Sequence, residues 1–402
     1  MTGVKWYGEG LFVREVVKGG EMSANYVYPL VPAAFIYNRL FAWKGSFAVV
    51  PVGIGDQYVS SEFPQFIPDQ GSVLAEYLYL FCMSKKMISA VNHASVGSAA
   101  VSRNRFKEEE FLNMHMPLPP LEVQRAIVQK WEDLLAEIER LNRLADELEL
   151  GAANAFLKRL GLSTPTATIY KKTMALRWSD FDRWGVDTNF KRLSSMNLES
   201  GIYPVVQLGD IVTRIQYGTS EKANTEGKGV PVLRMNNIKD GMLELKDLKH
   251  LELSEEAICS LRLSNGDILI IRTNGSKELV GTCGVFHASG EYVFASYLIR
   301  ACINSTLASP DFVAYILNSA VGRHQIDAIS RKIMQHNINS EELRGLKIPI
   351  PPLEIQRNMI HIVLEARQEA LSKRQEVEEL KARTVDAIET AIVGAEGSAG
   401  LL

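Results

Sequence analysis

Residues 116–125 read Met116-Pro-Leu-Pro-Pro-Leu-Glu-Val-Gln-Arg125, and residues 348–357 read Ile348-Pro-Ile-Pro-Pro-Leu-Glu-Ile-Gln-Arg357. The two stretches share the pattern Pro-x-Pro-Pro-Leu-Glu-x-Gln-Arg and lie 232 residues apart. A repeat with so long a period indicates duplicated domains rather than a solenoid of short units.

The similarity between the two halves extends upstream of these motifs, more weakly. The expected equivalences are Tyr58-Val59 and Phe63 with Tyr292-Val293 and Tyr297 at an offset of 234, Phe35-Ile36 with Leu269-Ile270 at the same offset, and residues 77–84 with 312–319 at an offset of 235. A slowly drifting offset is what small loop insertions produce.

Each motif is expected to open a long helix. Proline at the first helical position loses no hydrogen bond and presets φ. Glu122 and Glu354 then lie in the first turn, where the helix dipole favours negative charge. A proline-rich ligand for an SH3-like domain is the alternative, but helical sequence follows the motif at once.

Apolar residues of the first helix recur at alternating steps of four and three positions, which is a heptad seam. They are Ile127, Trp131, Leu134, Ile138, Leu141, Ala145 and Leu148. The second helix has a looser seam, which Lys373 and Thr384 interrupt: Val363, Ala366, Ala370, Val377, Leu380, Ala387 and Ala391. A narrow seam among charged residues is not stable alone, so the two helices are expected to pack antiparallel. Two independent coiled coils that recruit other proteins remain the alternative.

Between the helices the sequence alternates short β segments with Gly and Asn turns, at 205–215, 230–235, 266–273 and 281–287, and helical patches follow near 309–319 and 321–330. The fold class is therefore α+β: two lobes of mixed β-sheet with helices, separated by two long antiparallel coiled-coil helices. We divide the chain into a first lobe at 1–116, a first helix at 117–162, a second lobe at 163–348 and a second helix at 349–396.

Composition sets broad limits. The chain has 402 residues, of which 46% are hydrophobic and 23% charged, as in folded proteins with more than one domain. No apolar run is long enough for a membrane helix and the first residues lack a signal-peptide layout, so a cytoplasmic location is expected. The four cysteines form no CxxC pair and are expected to be reduced and mostly buried. The net charge of −3 counts against a free-standing DNA binder unless basic residues cluster or partners share the phosphate contacts.

A variable α+β lobe, a Pro-Pro-Leu-Glu-x-Gln motif and a long helix, all occurring twice, resemble the specificity subunit of type I restriction-modification enzymes. Residues 208–211 and 215–223 look like the usual opening of a target-recognition domain, and residues 35–47 look like the central strand-loop-strand of another. The resemblance covers nearly the whole chain. The first lobe departs from it, because it is shorter than the second by roughly 55 residues; a truncated or miscalled start, or completion by another chain, would account for this.

The resemblance implies a non-catalytic subunit that recognises double-stranded DNA. Each lobe would recognise one half of a bipartite, asymmetric site, and the helices would set the unread spacer. It implies two methyltransferase subunits and translocating nuclease subunits as partners in a prokaryotic cytoplasm, with S-adenosylmethionine, ATP and Mg²⁺ bound by those partners. No cofactor or metal is expected in this chain.

Catalytic signatures are missing from the sequence: there is no GxxxxGK[ST] loop, no HExxH and no Cys/His metal spacing. Asp240 with Glu244-Leu-Lys246 loosely resembles a nuclease D…ExK set. The same triplet recurs at Glu379-Leu-Lys381 within a helical stretch, which shows how unspecific the match is.

Arg and Lys pair with guanine and Asn and Gln with adenine, while Lys, Arg, Ser and Thr position phosphates. In lobe 2 these residue types cluster in four loops: Tyr217, Gly218, Thr219, Ser220 and Lys222; Arg234, Asn236 and Asn237; Arg272, Thr273, Asn274, Ser276 and Lys277; and Arg331, Lys332, Gln335 and Asn337. Lobe 1 offers two loops at matching positions: Asn38, Arg39, Trp43, Lys44 and Ser46; and Ser102, Arg103, Asn104 and Arg105. Their recurrence predicts a common DNA-facing surface.

Two other functions fit parts of the sequence. A coiled-coil adaptor whose lobes bind protein fits the net charge but not the paired donor-rich loops. A specificity module for a defence methyltransferase without a nuclease would have the same sequence features, and the neighbouring genes would distinguish the two.

Overall fold

The fold is described from a computed structural model that covers residues 1–16, 26–94, 105–163, 198–332 and 336–394, without the side chains of 331 and 332. Its α-helices are α1 Ala75–Met83, α2 Lys85–Ala94, α3 Glu108–Leu112, α4 Leu121–Arg159, α5 Leu208–Ile211, α6 Glu255–Leu261, α7 Pro310–Asn318, α8 Ala320–Ile329, α9 Ser340–Arg344 and α10 Leu353–Gly394.

The strands are short and form several small sheets. They are β1 Thr2–Val4, β2 Leu11–Val13, β3 Val27–Pro29, β4 Phe35–Tyr37, β5 Phe47–Val49, β6 Tyr58–Ser60, β7 Gln65–Phe66, β8 Val205–Gln207, β9 Val212–Tyr217, β10 Val230–Leu233, β11 Ile238–Lys239, β12 Met242–Leu243, β13 Lys249–Leu251, β14 Ile268–Ile271, β15 Thr273–Asn274, β16 Cys283–Val285, β17 Val293–Phe294, β18 Leu298–Ile303, β19 Arg331–Lys332, β20 His336–Asn337 and β21 Lys347–Pro349. The segment predicted as one strand at 205–215 is interrupted by α5, so it forms β8 and the start of β9.

The chain divides into two compact units. Unit 1 comprises Met1–Leu144 and Ser372–Leu402, and unit 2 comprises Ala145–Leu371. Both α4 and α10 therefore contribute one part to each unit. The expected α+β class with two long antiparallel helices is confirmed, while the four-segment division of the chain stays a prediction.

The second proline of each motif immediately precedes the first residue of the long helix. The helices start at Leu121 and Leu353, and the carbonyl oxygens of Pro120 and Pro352 accept hydrogen bonds from the backbone N–H of Gln124 (3.1 Å) and Gln356 (3.0 Å). A residue whose carbonyl accepts the first helical hydrogen bond is the N-cap. The expectation that proline takes the first helical position is therefore corrected by one residue.

The motif glutamine fixes each long helix to its unit. In unit 1 the Gln124 amide nitrogen donates to the carbonyls of Pro119 (2.8 Å) and Ser72 (2.9 Å), and its oxygen accepts from the Leu74 N–H (2.9 Å). Gln124 is fully buried. Because Leu74 immediately precedes α1, one side chain joins the start of α4 to the start of α1.

Gln356 makes the same three hydrogen bonds in unit 2. Its amide nitrogen donates to the carbonyls of Pro351 (2.7 Å) and Leu307 (3.3 Å), and its oxygen accepts from the Ser309 N–H (2.8 Å). Ser309 precedes α7 as Leu74 precedes α1. We call this arrangement, centred on Gln124 in unit 1 and Gln356 in unit 2, the glutamine clamp.

The seam predicted for the first long helix is confirmed. Ile127, Leu134, Leu141 and Ala145 are buried, and Trp131, Ile138 and Leu148 are partly buried. In unit 1, Ile127 and Val128 share a core with Ile388 and Ile392. In unit 2, Phe156 and Leu157 share a core with Met359, Ile360 and Val363. In each unit the beginning of one helix thus packs with the end of the other, which is the antiparallel arrangement.

The seam of α10 is confirmed only in part. Val363, Ala370 and Val377 are buried, and Ala366, Leu380 and Ala387 are partly buried. Ala391 is exposed, and Ile388 and Ile392 are buried instead. A helix with 3.6 residues per turn drifts away from a seven-residue repeat unless it supercoils. The end of α10 packs against the unit 1 core, so its buried stripe follows that core rather than the heptad.

A central sheet occurs in both units. Unit 1 has the order β5-β4-β7, and unit 2 has the order β16-β14-β18-β9, with antiparallel neighbours throughout. Strands β4 and β14 are the equivalent central strands. In unit 2, β9 pairs with the outer edge of β18, whereas no described strand of unit 1 pairs with the outer edge of β7.

The predicted alignment of the central strands is wrong by one residue. The side chains that share a core with the neighbouring helices are Phe35 and Tyr37 in unit 1 and Ile268 and Ile270 in unit 2. Ile36 and Leu269 face the opposite cores. A slip of one residue exchanges the two faces of a strand. Phe35 is therefore equivalent to Ile268, at an offset of 233 rather than 234.

The helix pair that packs on each central sheet is also duplicated. Helices α1 and α2 meet at Ser84, and α7 and α8 meet at Ser319. The hydroxyl oxygen of Ser84 accepts from the Met87 N–H, and that of Ser319 accepts from the Val321 N–H, each at 3.3 Å. The predicted equivalence of 77–84 with 312–319 is confirmed.

We predict that Gln356→Ala lowers the free energy of unfolding of unit 2 by about 3 kcal/mol, because one donor and two acceptors, which lie in buried or partly buried hydrogen bonds, lose their partner. Urea denaturation of the full chain measures this change. Gln368→Ala, at an exposed position of the same helix, is the matched control and is expected to change stability by less than about 0.5 kcal/mol. Equal effects of the two substitutions would contradict the role of the clamp.

Candidate nucleic-acid interface

The four candidate loops of unit 2 meet at one place. Strand β15 pairs with β20, so that Thr273 lies opposite Asn337 and Asn274 opposite His336. The Asn274 amide nitrogen lies 3.3 Å from the sulfur of Met235, which is in the 234–237 loop. Segments that are more than 100 residues apart in the chain therefore form one polar surface.

Tyr217 connects the first loop to this surface. The guanidinium carbon of Arg272 lies 4.8 Å from the centre of the Tyr217 ring, and the Tyr217 hydroxyl accepts a hydrogen bond from the Ser340 N–H (3.0 Å). A guanidinium over an aromatic face is held electrostatically. Arg272 is thus oriented by a ring rather than by a carboxylate.

Several buried polar atoms of this surface have no hydrogen-bond partner among the described residues. They are Arg234 Nε, Arg272 Nε, Ser330 Oγ, His336 Nδ1 and Asn337 Oδ1. Buried polar groups in folded proteins are nearly always hydrogen-bonded, so each exception needs an explanation. Their concentration at the meeting point of the predicted loops is typical of a surface that binds a polar ligand.

The remaining candidates of unit 2 differ in exposure. Ser220, Lys222, Asn236 and Ser276 are exposed, and Thr219, Thr273 and Lys277 are partly buried. The Lys277 ammonium lies 3.8 Å from a carboxylate oxygen of Asp327. Lys222 and Asn236 are exposed, and their contact with a duplex stays a prediction.

Two candidates of unit 2, Asn237 and Gly218, have structural roles inside the protein. Asn237 is 2% exposed; its side-chain oxygen accepts from the Arg234 N–H, and its nitrogen donates to the carbonyls of Glu244 and Lys246. Its prediction as a base-contacting side chain is corrected, because every polar atom is already used. Gly218 is required by the close approach of the Phe294 and Ala295 carbonyls, 2.3 and 2.4 Å from where a Cβ would lie, and its contact with DNA stays a prediction.

Two candidates of unit 1 are also corrected. Ser46 is fully buried and its hydroxyl donates to the Val4 carbonyl (2.9 Å). Asn38 is 9% exposed and its side-chain oxygen accepts from the Leu40 N–H (2.9 Å). Asn38 stabilises the β4–β5 connection and Ser46 joins that connection to β1, so both buried side chains have structural partners inside the protein.

Lys44 makes cation–π contacts with Trp43 and with Trp6, a residue that the sequence analysis did not indicate. The Lys44 ammonium lies 3.6 Å from the centre of the Trp6 ring and 5.0 Å from that of Trp43. The Trp43 indole N–H donates to the Leu40 carbonyl (3.1 Å). Trp6 stands five residues from the start of the sequence, in no recognisable motif, so only the fold brings it to Lys44.

Two of the candidate arginines of unit 1, Arg39 and Arg105, are ion-paired. The Arg39 guanidinium donates to the Glu108 carboxylate, and Arg105 Nη2 donates to a carboxylate oxygen of Glu62 (2.7 Å). Burial raises the pKa of the Glu108 carboxyl, but the hydrogen bond and charge of Arg39 lower it by more, so its pKa lies below the ordinary value. Glu108 is therefore ionised at neutral pH.

Residues 34–150 and 203–382 match the family described as the Type I restriction modification DNA specificity domain. The match covers well over half of the chain and includes both motif repeats. The chain belongs to this family.

Curated relatives in this family of DNA specificity domains include two subunits from enteric bacteria. The chain is 26% identical over 275 residues to the Type I restriction enzyme EcoKI specificity subunit of Escherichia coli (strain K12), which covers 68% of this chain and 54% of that protein. The same values hold for the Type I restriction enzyme StySPI specificity subunit of Salmonella potsdam. The chain spans about half the length of these relatives.

One solved structure has the same fold. It comes from work on complex assembly and conformational transition of the type I R-M system, and the TM-score is 0.54. The sequences are 17% identical, and the superposition covers 93% of this chain and 85% of that chain.

Some predicted DNA-contacting residues of this family member fall outside the described part of the structure. Ser102, Arg103, Asn104 and Gln335 lie in undescribed segments, and the side chains of Arg331 and Lys332 are not described. These residues stay predictions.

The weak nuclease resemblance finds an ordinary structural explanation. Glu244 pairs with Lys239 at 2.8 Å, and this hydrogen bond lowers the pKa of the Glu244 carboxyl. Within the described residues, no group of three or more His, Cys, Asp or Glu side chains is arranged to hold a metal ion. The backbone carbonyl of Lys246, the third member of the motif, accepts a hydrogen bond from the Asn237 amide nitrogen.

The expectation about the cysteines holds in part. Cys82 and Cys283 are buried and Cys302 is partly buried, but Cys259 is exposed. Burial raises the pKa of the Cys82 and Cys283 thiols, the latter to about 12, so both are protonated at neutral pH. None of the helices in the described ranges is long and apolar enough to cross a membrane.

We predict that Gly218→Ala destabilises unit 2 by about 2 kcal/mol, because the added methyl group overlaps two backbone carbonyls and the strand-to-loop junction must shift. Thermal and urea unfolding of the full chain measure the effect. Gly275→Ala is the matched control in a neighbouring loop, where an added Cβ meets nothing within 4 Å. Equal stability of the two variants would show that the tight junction at Gly218 is not needed.

Proposed function

We propose that this chain is the DNA specificity subunit of a type I restriction-modification enzyme. Each unit would recognise one half of a bipartite, asymmetric site on double-stranded DNA. The observation that carries the proposal is the polar surface of unit 2, where loops separated in sequence bring together Arg272, Asn274 and Asn337, and where two of the contributing loops carry the exposed residues Lys222 and Asn236. These residue types supply the bidentate base contacts and the phosphate contacts that sequence recognition needs.

The chemistry of modification and cleavage would belong to partner subunits. We propose two methyltransferase subunits, which bind S-adenosylmethionine, and translocating nuclease subunits, which bind ATP and Mg²⁺, in a prokaryotic cytoplasm. Partner subunits would also supply phosphate contacts, since the net charge of this chain is −3. This chain would then act without a catalytic centre of its own.

The helices α4 and α10 are proposed to set the spacer between the half-sites. Each runs without a break from one unit into the other. The separation of two DNA-reading modules determines the spacing of the half-sites that they recognise.

The first experiment tests whether the unit 2 surface binds DNA. We expect Arg272→Ala and Lys222→Ala each to weaken duplex binding of the assembled enzyme, and Lys222→Ala to reduce the salt dependence, log Kd against log salt, by about 0.9 for one lost phosphate contact. Fluorescence anisotropy across a salt titration measures both quantities. Co-purification with the methyltransferase subunits should be unchanged.

Lys381→Ala is the matched control, because it removes one positive charge from α10, outside the loops. It is expected to leave binding and salt slope as in the wild type. If Arg272→Ala and Lys222→Ala both bind as the control does, the unit 2 surface is not the DNA site.

The second experiment tests the spacer. Lengthening α4 and α10 by two helical turns each, about 11 Å, should lengthen the preferred spacer by about three base pairs, given about 3.4 Å per base pair. Mapping of methylated sites by sequencing gives the spacer directly. The same residues added after Leu402 are the control, and an unaltered spacer in the lengthened protein would refute this role of the helices.

A further inference from the structure

Four charged residues of unit 1 form a cluster at the end of the central strand, namely Arg39, Glu62, Arg105 and Glu108; we call it the charged quartet. The Arg39 N–H donates to the Glu62 carbonyl (3.0 Å), and the Phe106 N–H donates to the Arg39 carbonyl (3.0 Å). These backbone bonds hold the three chain segments side by side. The side chains then pair as Arg39 with Glu108 and Arg105 with Glu62.

Unit 2 has the same backbone bonds at equivalent positions. The Arg272 N–H donates to the Tyr297 carbonyl (2.9 Å), and the Ile338 N–H donates to the Arg272 carbonyl (3.0 Å). Arg39 is therefore equivalent to Arg272, and Glu62 to Tyr297, so the predicted equivalence of Phe63 with Tyr297 is wrong by one residue.

The short helices that follow confirm the remaining equivalences. The Lys107 N–H donates to the Glu110 carboxylate at the start of α3, and the Asn339 N–H donates to the Glu342 carboxylate at the start of α9. Counting from these caps, Glu108 is equivalent to Ser340 and Arg105 to Asn337.

The two units thus differ at this place in one respect that matters for anion binding. Unit 2 has Tyr297 and Ser340 where unit 1 has carboxylates, and its Arg272 is held by the Tyr217 ring. In unit 1 both arginines have an acidic partner, so the charged quartet is electrically neutral. The Arg105 side chain is 57% exposed, which leaves it within reach of a ligand from solvent.

We propose that Glu108 pairs with Arg39, and Glu62 with Arg105, in the absence of DNA, and that these carboxylates compete with duplex phosphates for the two arginines. This inference rests on the proposed function. Carboxylate and phosphate oxygens accept the same paired N–H bonds from a guanidinium. A phosphate of the duplex therefore has to displace a carboxylate in unit 1, whereas Arg272 in unit 2 has no acidic partner among the described residues. Unit 1 accordingly adds less to sequence-independent affinity than unit 2 does.

The test is the binding of the assembled enzyme, with each variant of this chain in turn, to a pool of random-sequence duplex DNA. Glu108→Gln keeps the size of the side chain and removes its charge, and Glu62→Gln does the same for the second pair. Each variant is expected to bind about eightfold more tightly at about 0.1 M salt, with a log–log salt dependence steeper by about 0.9, as one additional phosphate contact predicts.

Glu109→Gln is the matched control, since Glu109 is the exposed neighbour of Glu108 on the same helix and the charge change is identical. It is expected to change affinity by less than twofold. The double substitution Arg39→Gln with Glu108→Gln should lose the gain of Glu108→Gln, because the released arginine is then missing. Circular dichroism melts identify any variant that unfolds, and Glu62→Gln tests the second pair independently.

The outcomes separate this inference from the proposed function. If Glu108→Gln and Glu62→Gln bind no better than Glu109→Gln, or bind more weakly, the competition between carboxylate and phosphate is refuted, even where Arg272→Ala still weakens binding. If neither the wild type nor any variant binds duplex DNA with salt dependence, the proposed function fails with it.

Discussion

The glutamine clamp is the interaction on which the rest of each unit depends. A long helix that exposes most of its surface has little to fix its start, and the preceding prolines cannot donate a backbone hydrogen bond. Gln124 and Gln356 solve this in the same way, by joining the helix start to the loop that precedes α1 or α7. The helix pair of each unit packs on the central sheet, so the clamp also relates the long helix to that sheet.

With the scaffold fixed in this way, the two units differ mainly at the strand ends. In unit 2 the central sheet has β9 as an edge strand, which leads into the Tyr217 loop, whereas the described part of unit 1 has no strand at that edge. Equivalent arginines are consequently held by an aromatic ring in unit 2 and by a carboxylate in unit 1. Loops tolerate such divergence because they contribute little to the core, and binding functions concentrate on them for the same reason.

Periodic features could be predicted from the sequence. The duplicated motif, the long helices and the first seam follow from patterns that local physics imposes, since an apolar seam repeats at every turn of the helix. The alignment of β4 residues with their equivalents in β14 was mispredicted by one residue, because Phe35 and Ile36 are both apolar. Only the different cores that these two side chains enter distinguish them.

The candidate site was less predictable than the fold. Donor-rich loops were correctly expected to gather in unit 2, but Asn38, Ser46 and Asn237 satisfy backbone groups inside the protein. An Asn that supports a turn and an Asn that reads a base are the same residue type in the same kind of loop. Which of these two roles an Asn has depends on neighbours that are distant in sequence, and so does the pairing of Arg39 with Glu108. The role of the motif glutamine was also missed, since its partners lie about 50 residues upstream.

The central claim is that the strand-end loops of unit 2 form the surface that faces DNA. Peptide-resolved hydrogen exchange of this chain within the assembled enzyme, with and without duplex DNA, tests it most directly. The account predicts slower exchange at residues 217–222, 272–277 and 336–337 when DNA is bound, with no change along the exposed face of α4. Protection confined to the long helices, with these loops exchanging as before, would contradict it.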